Sequence, residues 1–252
     1  CDASAVNKLA RLQRKYFDGG LYFPCLNGDV TVVAFTDASW ATRVDGSSQG
    51  GQITLLAPKG ILNGEKTPFC VLGWSSRRLK RVARSSTSAE AQMCANALDF
   101  HEFSKLGWID LQEPTKVDLR VADEYLRTFE SGLIVDARNI YDGLSRVESS
   151  GLQMEEKRTA IELLAIKERL HQAAVDLKWV DGEQELADGL TKSGCHEPLL
   201  KALYQWWCRI TCDPNFLSAR KKRAQRYQLC VDEHWLHRLW SLDRSEERRV
   251  GK

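Results

Sequence analysis

The chain has 252 residues, which is enough for one large domain or for one domain with appendages. Hydrophobic residues make up 43% and charged residues 28% of it, a composition that supports a buried core and excludes a disordered chain. No apolar run approaches the roughly 18 residues that span a bilayer, so the sequence also excludes a membrane protein. The 36 basic and 34 acidic residues nearly cancel, at +2, but such a sum does not exclude a nucleic-acid enzyme, because the charges can be segregated.

The first half of the chain predicts a helix followed by three strands. Residues 2–17 have the apolar spacing of an amphipathic helix, and Val30 to Thr36 form a nearly continuous β-branched run that ends at Asp37. Two further strands are predicted over Gln52 to Ala57 and over Pro68 to Ser75. Because short turns connect them, these three strands predict an antiparallel meander.

The second half predicts helices that alternate with strands. A helix is expected from about Ser88 to Leu106, and its predicted inner face consists of Ala91, Cys94, Ala95, Leu98 and Phe103. The later elements are helices over 122–129, 139–147 and 154–174, strands over 133–135 and 177–180, and a helix from Glu183 to Thr191. This order predicts an α/β fold whose mixed sheet is covered on both faces. Eight scattered cysteines contain no C-x-x-C pair, so we expect Cys25, Cys70 and Cys94 to be reduced and buried.

Four carboxylates stand at equivalent places in these predicted elements. Asp37 and Asp136 each close an apolar strand, Glu90 lies in the first turn of a helix, and Asp188 lies at the start of another. Strand ends and helix starts meet at one edge of an α/β sheet, so we expect the four side chains to converge. Divalent cations such as Mg²⁺ neutralise such clusters, and a pair of them is the usual arrangement for phosphodiester cleavage.

Each carboxylate, taken singly, also has a purely structural explanation. Asp37 could cap the turn at Ala38, Glu90 could form a capping box with Thr87, and Asp136 could cap the helix that begins near residue 139. Asp188 could be a solvated helix residue. All four occurring together in this context favours a shared site.

Four ordered motifs resemble the ribonuclease H domain of copia-type (Pseudoviridae) retrotransposon Pol polyproteins. They are Phe35-Thr36-Asp37-Ala38-Ser39-Trp40, Ser85-Ser86-Thr87-Ser88-Ala89-Glu90-Ala91 preceded by Trp74-Ser75-Ser76, Val135-Asp136, and Glu185-Leu186-Ala187-Asp188-Gly189-Leu190-Thr191-Lys192. The resemblance covers residues 30–192 and implies an RNase H-like fold with a five-stranded mixed sheet flanked by helices.

The resemblance also implies an activity and a site. Asp37, Glu90, Asp136 and Asp188 would be both the catalytic residues and the ligands of two Mg²⁺ ions, with Mn²⁺ as a possible substitute. The reaction would be cleavage of the RNA strand of an RNA–DNA hybrid during reverse transcription. The implied partner is the reverse transcriptase domain of the same polyprotein, and the implied location is a cytoplasmic virus-like particle, the nucleus or both. No membrane partner is expected.

The resemblance suggests three segments. Residues 1–28 would connect to a preceding reverse transcriptase, 29–198 would be the RNase H-like domain, and 199–252 a helical and basic extension. Because the first residue is Cys rather than Met, we expect part of a longer translation product. The last nine residues, 244–252, resemble sequence appended from a vector or adapter.

Two other functions stay open at this point. A decayed copy could keep the fold and act only as a nucleic-acid-binding or interaction module, and an integrase or resolvase would share the fold. Cellular ribonucleases H carry a mobile His shortly before the last Asp, whereas residues 178–183 contain none. The Ser-Ser-Thr-Ser-Ala-Glu and Ala-Asp-Gly-Leu-Thr-Lys motifs favour ribonuclease H over the other nucleases.

A basic segment precedes the Glu90 helix and is the candidate nucleic-acid contact. Five cations occur in eight residues with no acid among them: Arg77, Arg78, Lys80, Arg81 and Arg84. Such a segment can follow a phosphate backbone beside a metal site. A second basic cluster lies at 220–226, and an apolar stripe at 235–240.

Overall fold

The computed structural model describes residues 20–113, 117–145, 156–192 and 194–211, together with six positions among the first fourteen. Most of the helix predicted over 2–17 lies outside these residues, as do the basic cluster at 220–226 and the stripe at 235–240. The chain divides into two compact units, residues 1–212 and 213–252. The first compact unit therefore extends beyond residue 198, the predicted end of the RNase H-like domain.

Five strands form the central sheet: β1 (Val30–Ser39), β2 (Gln49–Pro58), β4 (Cys70–Arg78), β5 (Ser131–Val135) and β6 (Val175–Trp179). Their order across the sheet is β4-β2-β1-β5-β6. The pairs β1–β2 and β2–β4 are antiparallel, whereas β1–β5 and β5–β6 are parallel. The antiparallel strands thus form the predicted meander, and the two parallel strands extend it on the other side of β1.

Between residues 86 and 205 the described part of the chain contains six α-helices: α1 (Ser86–Gln112), α2 (Ala122–Thr128), α3 (Arg138–Ser145), α4 (Lys157–Gln172), α5 (Asp188–Thr191) and α6 (Glu197–Gln205). Short 3-10 helices also cover Lys59–Asn63 and Leu119–Val121. On one sheet face, Ala34 and Leu133 pack against apolar side chains of α1, α3 and α4. On the other face, Phe35 and Ile134 pack against Leu199 and Ala202 of α6. Helices therefore cover both faces of a five-stranded mixed sheet, and the expected α/β fold is confirmed.

Several predicted bounds are wrong for reasons of pairing. β1 continues through Asp37 to Ser39, because these residues pair with Gly51 and its neighbours on β2. β4 likewise runs to Arg78, so the basic segment begins inside the sheet. The helix predicted from Glu183 is wrong up to residue 187, where the chain forms turns and helix α5 begins only at Asp188.

Helix α1 buries different side chains from those expected at its far end. The apolar pattern predicts that Phe103 faces inward, but this side chain is 70% exposed. His101 and Lys105 are fully buried instead. The pattern takes account of apolar residues only, whereas the buried positions there are filled by polar side chains whose tips reach backbone carbonyls. Cys25 is exposed as well, contrary to expectation, while Cys70 and Cys94 are buried.

Lys105 joins the ends of two helices. Its Nζ donates to the Leu126 carbonyl of α2 at 2.9 Å and to the Ala173 carbonyl just after α4. A cation at a helix C-terminus is favourable because it faces the negative end of the helix dipole. Burial nevertheless lowers the pKa of Lys105 to about 8.

We expect Lys105→Met to destabilise the protein by about 2 kcal/mol or more, since each buried carbonyl left without a donor costs about 1–3 kcal/mol. Methionine preserves much of the volume and removes the donor together with its charge. Urea unfolding measures the change, with Lys201→Met on the exposed side of α6 as the control. Equal unfolding midpoints for the two variants would contradict the capping role.

The segments flanking residues 29–198 also pack on this unit. Trp207–Cys208 forms β7, which pairs with the short strand β3 (Thr67–Pro68). Tyr22 of the expected connector makes an edge-to-face contact with Trp206, the ring centroids lying 5.7 Å apart. No helix of the described residues is long and apolar enough to cross a membrane.

Candidate active site

Asp37 lies in the middle strand of the sheet and is completely buried. Its strand partner on β2 is Gly51. One carboxylate oxygen accepts a hydrogen bond from the Thr191 hydroxyl, and the other lies 3.2 Å from Nζ of Lys192. Because Asp37 is inside a strand with its side chain held by α5 and the residue after it, the turn-capping explanation is wrong.

Glu90 reaches the site from helix α1. The N-cap of this helix is Ser85, whose hydroxyl accepts from the Ser88 amide at 3.1 Å. The capping box of Glu90 with Thr87 is therefore wrong. Glu90 Oε2 instead accepts a hydrogen bond from the Ala38 amide at 3.1 Å, which fixes the carboxylate next to β1 and leaves its other oxygen for a further ligand.

Asp136 immediately follows β5, as the sequence predicts. Its backbone carbonyl accepts from the indole nitrogen of Trp179 at 2.8 Å. Trp179 ends β6, the neighbouring parallel strand, and is 6% exposed. The aromatic side chain thus anchors the turn that presents Asp136, a role for which the sequence contains no signal.

Asp188 begins helix α5, and Lys192 follows one turn later. Nζ of Lys192 lies 2.5 Å from Asp188 Oδ1 and 3.2 Å from Asp37 Oδ1, so one ammonium group bridges two of the carboxylates. Burial disfavours this charge, but the carboxylates of Asp37, Asp136 and Asp188 raise the pKa of Lys192 above its ordinary value. Lys192 belongs to the motif quoted above, yet the motif does not predict its place in the site.

Three of the four carboxylates form one compact cluster. Asp37, Glu90 and Asp136 each offer an oxygen, and these atoms all lie within 4.8 Å of one another. Burial, followed by the charge of Asp37, raises the pKa of Glu90 well above its ordinary value and that of Asp136 to about 7. Such shifts are typical of like charges gathered without enough counter-charge, and oxygen clusters of this kind fit a hard divalent cation.

We expect the cation-free protein to lose stability as the pH rises from about 4 to about 7. The pKa of Asp136 is about 7 in the folded protein against 3.8 for an ordinary aspartate. Between these values the folded state retains a proton that the unfolded chain has released, so stability falls with rising pH. Added Mg²⁺ should reverse the loss at neutral pH, because a ligand of the folded state stabilises it.

Thermal melting in EDTA and in Mg²⁺, from about pH 4.5 to about pH 8, measures this effect. Asp136→Asn removes one of the titrating groups and should make the EDTA profile less steep, while the raised pKa of Glu90 preserves part of the slope. A profile of unchanged slope in the Asn variant would contradict the assignment of the effect to Asp136.

The basic segment begins at the same edge of the sheet. Ser76 pairs with Gly51, the partner of Asp37, and its hydroxyl donates to the Leu190 carbonyl of α5 at 2.5 Å. Arg77 is the next residue along β4. All five basic side chains are exposed. Arg78 pairs with Asp45 and Arg81 with Glu162, whereas Arg77, Lys80 and Arg84 make no ion pair with any described residue.

A cleft of about 690 Å³ is lined by Thr191 and Lys192, the two residues that contact Asp37. Arg43 and His196 line it as well, together with the hydroxyl-bearing residues Ser39, Thr42 and Ser76. Nδ1 of His196 lies 2.9 Å from the carbonyl of Gly189. The cleft therefore places cationic and hydroxyl groups beside an acidic cluster.

Comparisons with known proteins give weak likenesses only. No protein-family profile matches the sequence, and no curated protein is significantly similar to it. Among solved structures, the chain is similar to LC11-RNase H1 from compost, in complex with an RNA/DNA hybrid, with 13% identity and a TM-score of 0.41 over 67% of this chain and 99% of that one. It is also similar to the RNase H domain of prototype foamy virus, with 18% identity and a TM-score of 0.37 over 71% and 95%.

A third likeness is to the foamy viral protease–reverse transcriptase in complex with an RNA/DNA hybrid, with 13% identity and a TM-score of 0.39 over 70% of this chain and 22% of that one. The fold class of the present chain rests on its own strand order and on the helices that cover both faces of the sheet.

Proposed function

We propose that this chain is a metal-dependent endoribonuclease that cleaves the RNA strand of an RNA–DNA hybrid. The observation that carries the proposal is the cluster of Asp37, Glu90 and Asp136, whose oxygens lie within 4.8 Å of one another on three different elements. Asp188 joins them through the ammonium group that it shares with Asp37. Four carboxylates gathered at a sheet edge have no structural benefit of their own, since they repel each other.

The four carboxylates fit a pair of Mg²⁺ ions, or Mn²⁺ in their place. Bound divalent cations would supply charge stabilisation at the scissile phosphate and a lowered pKa for the attacking water. Asp37 would be a ligand shared by the whole site, because an oxygen of it lies near those of Glu90 and Asp136. It also shares the Lys192 ammonium group with Asp188. Lys192 competes with a cation for the oxygens of Asp37 and Asp188, so binding requires its ammonium group to shift.

The surroundings of the cluster suit a polyanionic substrate. The exposed basic segment begins one residue after Ser76, which contacts α5, and the adjoining cleft contains Arg43, Lys192 and His196. Cations on the surface around an acidic pocket attract phosphates, while the pocket itself retains divalent ions. The sequence motifs extend the proposal to a copia-type Pol polyprotein, in which a reverse transcriptase domain would deliver the hybrid within a virus-like particle.

The three basic residues without an ion pair among the described residues should dominate hybrid binding. We expect the triple variant Arg77→Ala/Lys80→Ala/Arg84→Ala to bind the hybrid more weakly than the wild type. The slope of log K against log salt should also become shallower, by about 0.9 for each phosphate that is no longer neutralised. Arg78 and Arg81 already pair with acids, so their double Ala variant is the matched control and should have the smaller effect. If the wild type and the triple variant had the same slope of log K against log salt, this segment would not be part of the binding surface.

A labelled RNA–DNA hybrid incubated with the protein and Mg²⁺ tests the proposal. The expected result is metal-dependent cutting of the RNA strand alone, abolished by EDTA. Parallel reactions contain duplex DNA and duplex RNA of the same sequence. Cutting of duplex DNA would favour an integrase-like activity, and hybrid binding without any cleavage would favour a catalytically decayed copy.

A further inference from the structure

A fifth carboxyl group lies behind the candidate metal site. Glu185 follows β6 in the turn that leads to α5, three residues before Asp188. Its side chain is completely buried, as is that of Asp37. Sequence patterns assign this glutamate no role, and the acidic cluster of Asp37, Glu90 and Asp136 does not include it.

Glu185 holds the backbone just ahead of Asp188. Its Oε1 accepts a hydrogen bond from the Ala187 amide at 3.0 Å. Ala187 is the residue that precedes helix α5, and its carbonyl accepts from the Leu190 amide at 2.9 Å. The Glu185 oxygen thus holds the amide of the residue that immediately precedes the Asp188 helix.

The environment of Glu185 is apolar on one side and anionic on the other. Its neighbours Leu186 and Ala187 belong to the core under α6. Burial, followed by the charge of Asp136, raises the pKa of Glu185 well above its ordinary value, and the bond from Ala187 only partly opposes this. Oε2 is buried and has no hydrogen-bond partner among the described residues. A charged carboxylate without a cation would be costly there.

The turn that Glu185 holds has no room to move towards the sheet. A Cβ on Gly51 would lie 3.1 Å from the Ala187 carbonyl oxygen and 2.8 Å from Cβ of Leu190. The strand partner of Gly51 is Asp37. The position of Asp188 is therefore set by strand β2 on one side and by Glu185 behind the turn.

We propose that Glu185 is a positioning residue whose carboxyl group fixes the Ala187 peptide and thereby places Asp188 for binding of a divalent cation. This inference rests on the proposed function for its catalytic meaning, but the placement of Asp188 is measurable without catalysis. Outer groups that orient metal ligands typically contribute about 10–100-fold to metal affinity.

Two variants of similar volume separate positioning from charge. Glu185→Gln keeps an oxygen that can accept from the Ala187 amide, whereas Glu185→Met has none. We expect the Gln variant to bind Mn²⁺ within about threefold of the wild type, and the Met variant to bind it about tenfold or more weakly. Calorimetric titration of the full chain with MnCl₂ measures both, with Glu183→Ala, an exposed neighbour, as the control.

Hybrid cleavage against Mg²⁺ concentration gives the second readout. The Met variant should need about tenfold more Mg²⁺ for half-maximal rate at an unchanged KM for the hybrid. A Met variant that binds Mn²⁺ like the wild type would overturn the proposal. The proposal would also be overturned if Glu185→Gln bound Mn²⁺ as weakly as Asp188→Asn does. Glu185 would then act through its charge.

If neither variant folds, Glu185 is a core residue only, and the positioning role is rejected. A wild-type chain that binds Mn²⁺ but never cleaves would refute the proposed endoribonuclease and leave the Mn²⁺ comparison valid.

Discussion

Asp136→Asn should reduce cleavage of an RNA–DNA hybrid by about 10³-fold or more while leaving the fold intact, since residues that act as one catalytic unit fail together. Asparagine keeps the shape of the side chain and removes the negative charge that would hold a cation. The backbone bond from Trp179 to residue 136 does not involve the side chain and persists. Repulsion from Asp37 also disappears, so the variant should melt at a higher temperature than the wild type in EDTA at neutral pH.

Single-turnover cleavage in Mg²⁺, hybrid binding and thermal melting together measure this prediction. Asp142→Asn is the matched control, because Asp142 lies on the next helix and forms a surface ion pair with Arg138 at 2.9 Å. It should cleave like the wild type, since exposed ion pairs contribute little. Wild-type cleavage by Asp136→Asn would exclude Asp136 from the catalytic machinery.

The sheet could be predicted from the sequence because most of its strands contain a short apolar stretch. The run from Val30 to Phe35 has too many β-branched residues for a surface helix. Later strands have shorter, mainly apolar stretches, such as Ile53 to Ala57 in β2 and Leu133 to Val135 in β5. The end of β1 could not be predicted in the same way. Asp37 and Ser39 are polar, but they remain in the strand because β2 offers them backbone partners. Strand pairing depends on two segments of the chain, whereas an apolar sequence pattern describes only one of them.

The candidate site also combines residues that the sequence predicts with residues that it does not. Motif spacing singles out the four carboxylates, and the fold brings Asp37, Glu90 and Asp136 together. The groups that hold them could not be predicted, because Trp179, Glu185 and Lys192 act through contacts that depend on tertiary placement. A buried glutamate or lysine cannot be distinguished from a surface residue in a sequence, and only its neighbours in the fold reveal the difference.

Gly51 should be as important for cleavage as a residue that touches the substrate, although it has no side chain. It pairs with Asp37 on β1. An added Cβ would lie 2.8 Å from Cβ of Leu190 and 2.8 Å from Cγ2 of Thr191. Since the first of these atoms is fixed to the backbone, Gly51→Ala must displace α5, and with it Asp188, Thr191 and Lys192.

We expect Gly51→Ala to lower the cleavage rate by about 10²-fold, the effect of misplacing a reacting group by about 1 Å. Overpacking should also cost about 1–3 kcal/mol of stability. Gly50→Ala is the control on the same strand, because its Cβ would meet the side-chain ends of Met93 and Leu79, which can move aside. Single-turnover cleavage and urea unfolding measure both variants.

A second substitution tests whether the slower cleavage comes from displacement of α5. Thr191→Ser removes the methyl group nearest to the added Cβ and keeps the hydroxyl that donates to Asp37. The double variant Gly51→Ala/Thr191→Ser should therefore cleave faster than Gly51→Ala, and Thr191→Ser alone should stay close to the wild type. A slow Gly51→Ala variant without any recovery in the double variant would exclude the Thr191 methyl group as the cause and leave the contact with Cβ of Leu190. Equal rates for Gly51→Ala and Gly50→Ala would show that the position of α5 does not control cleavage.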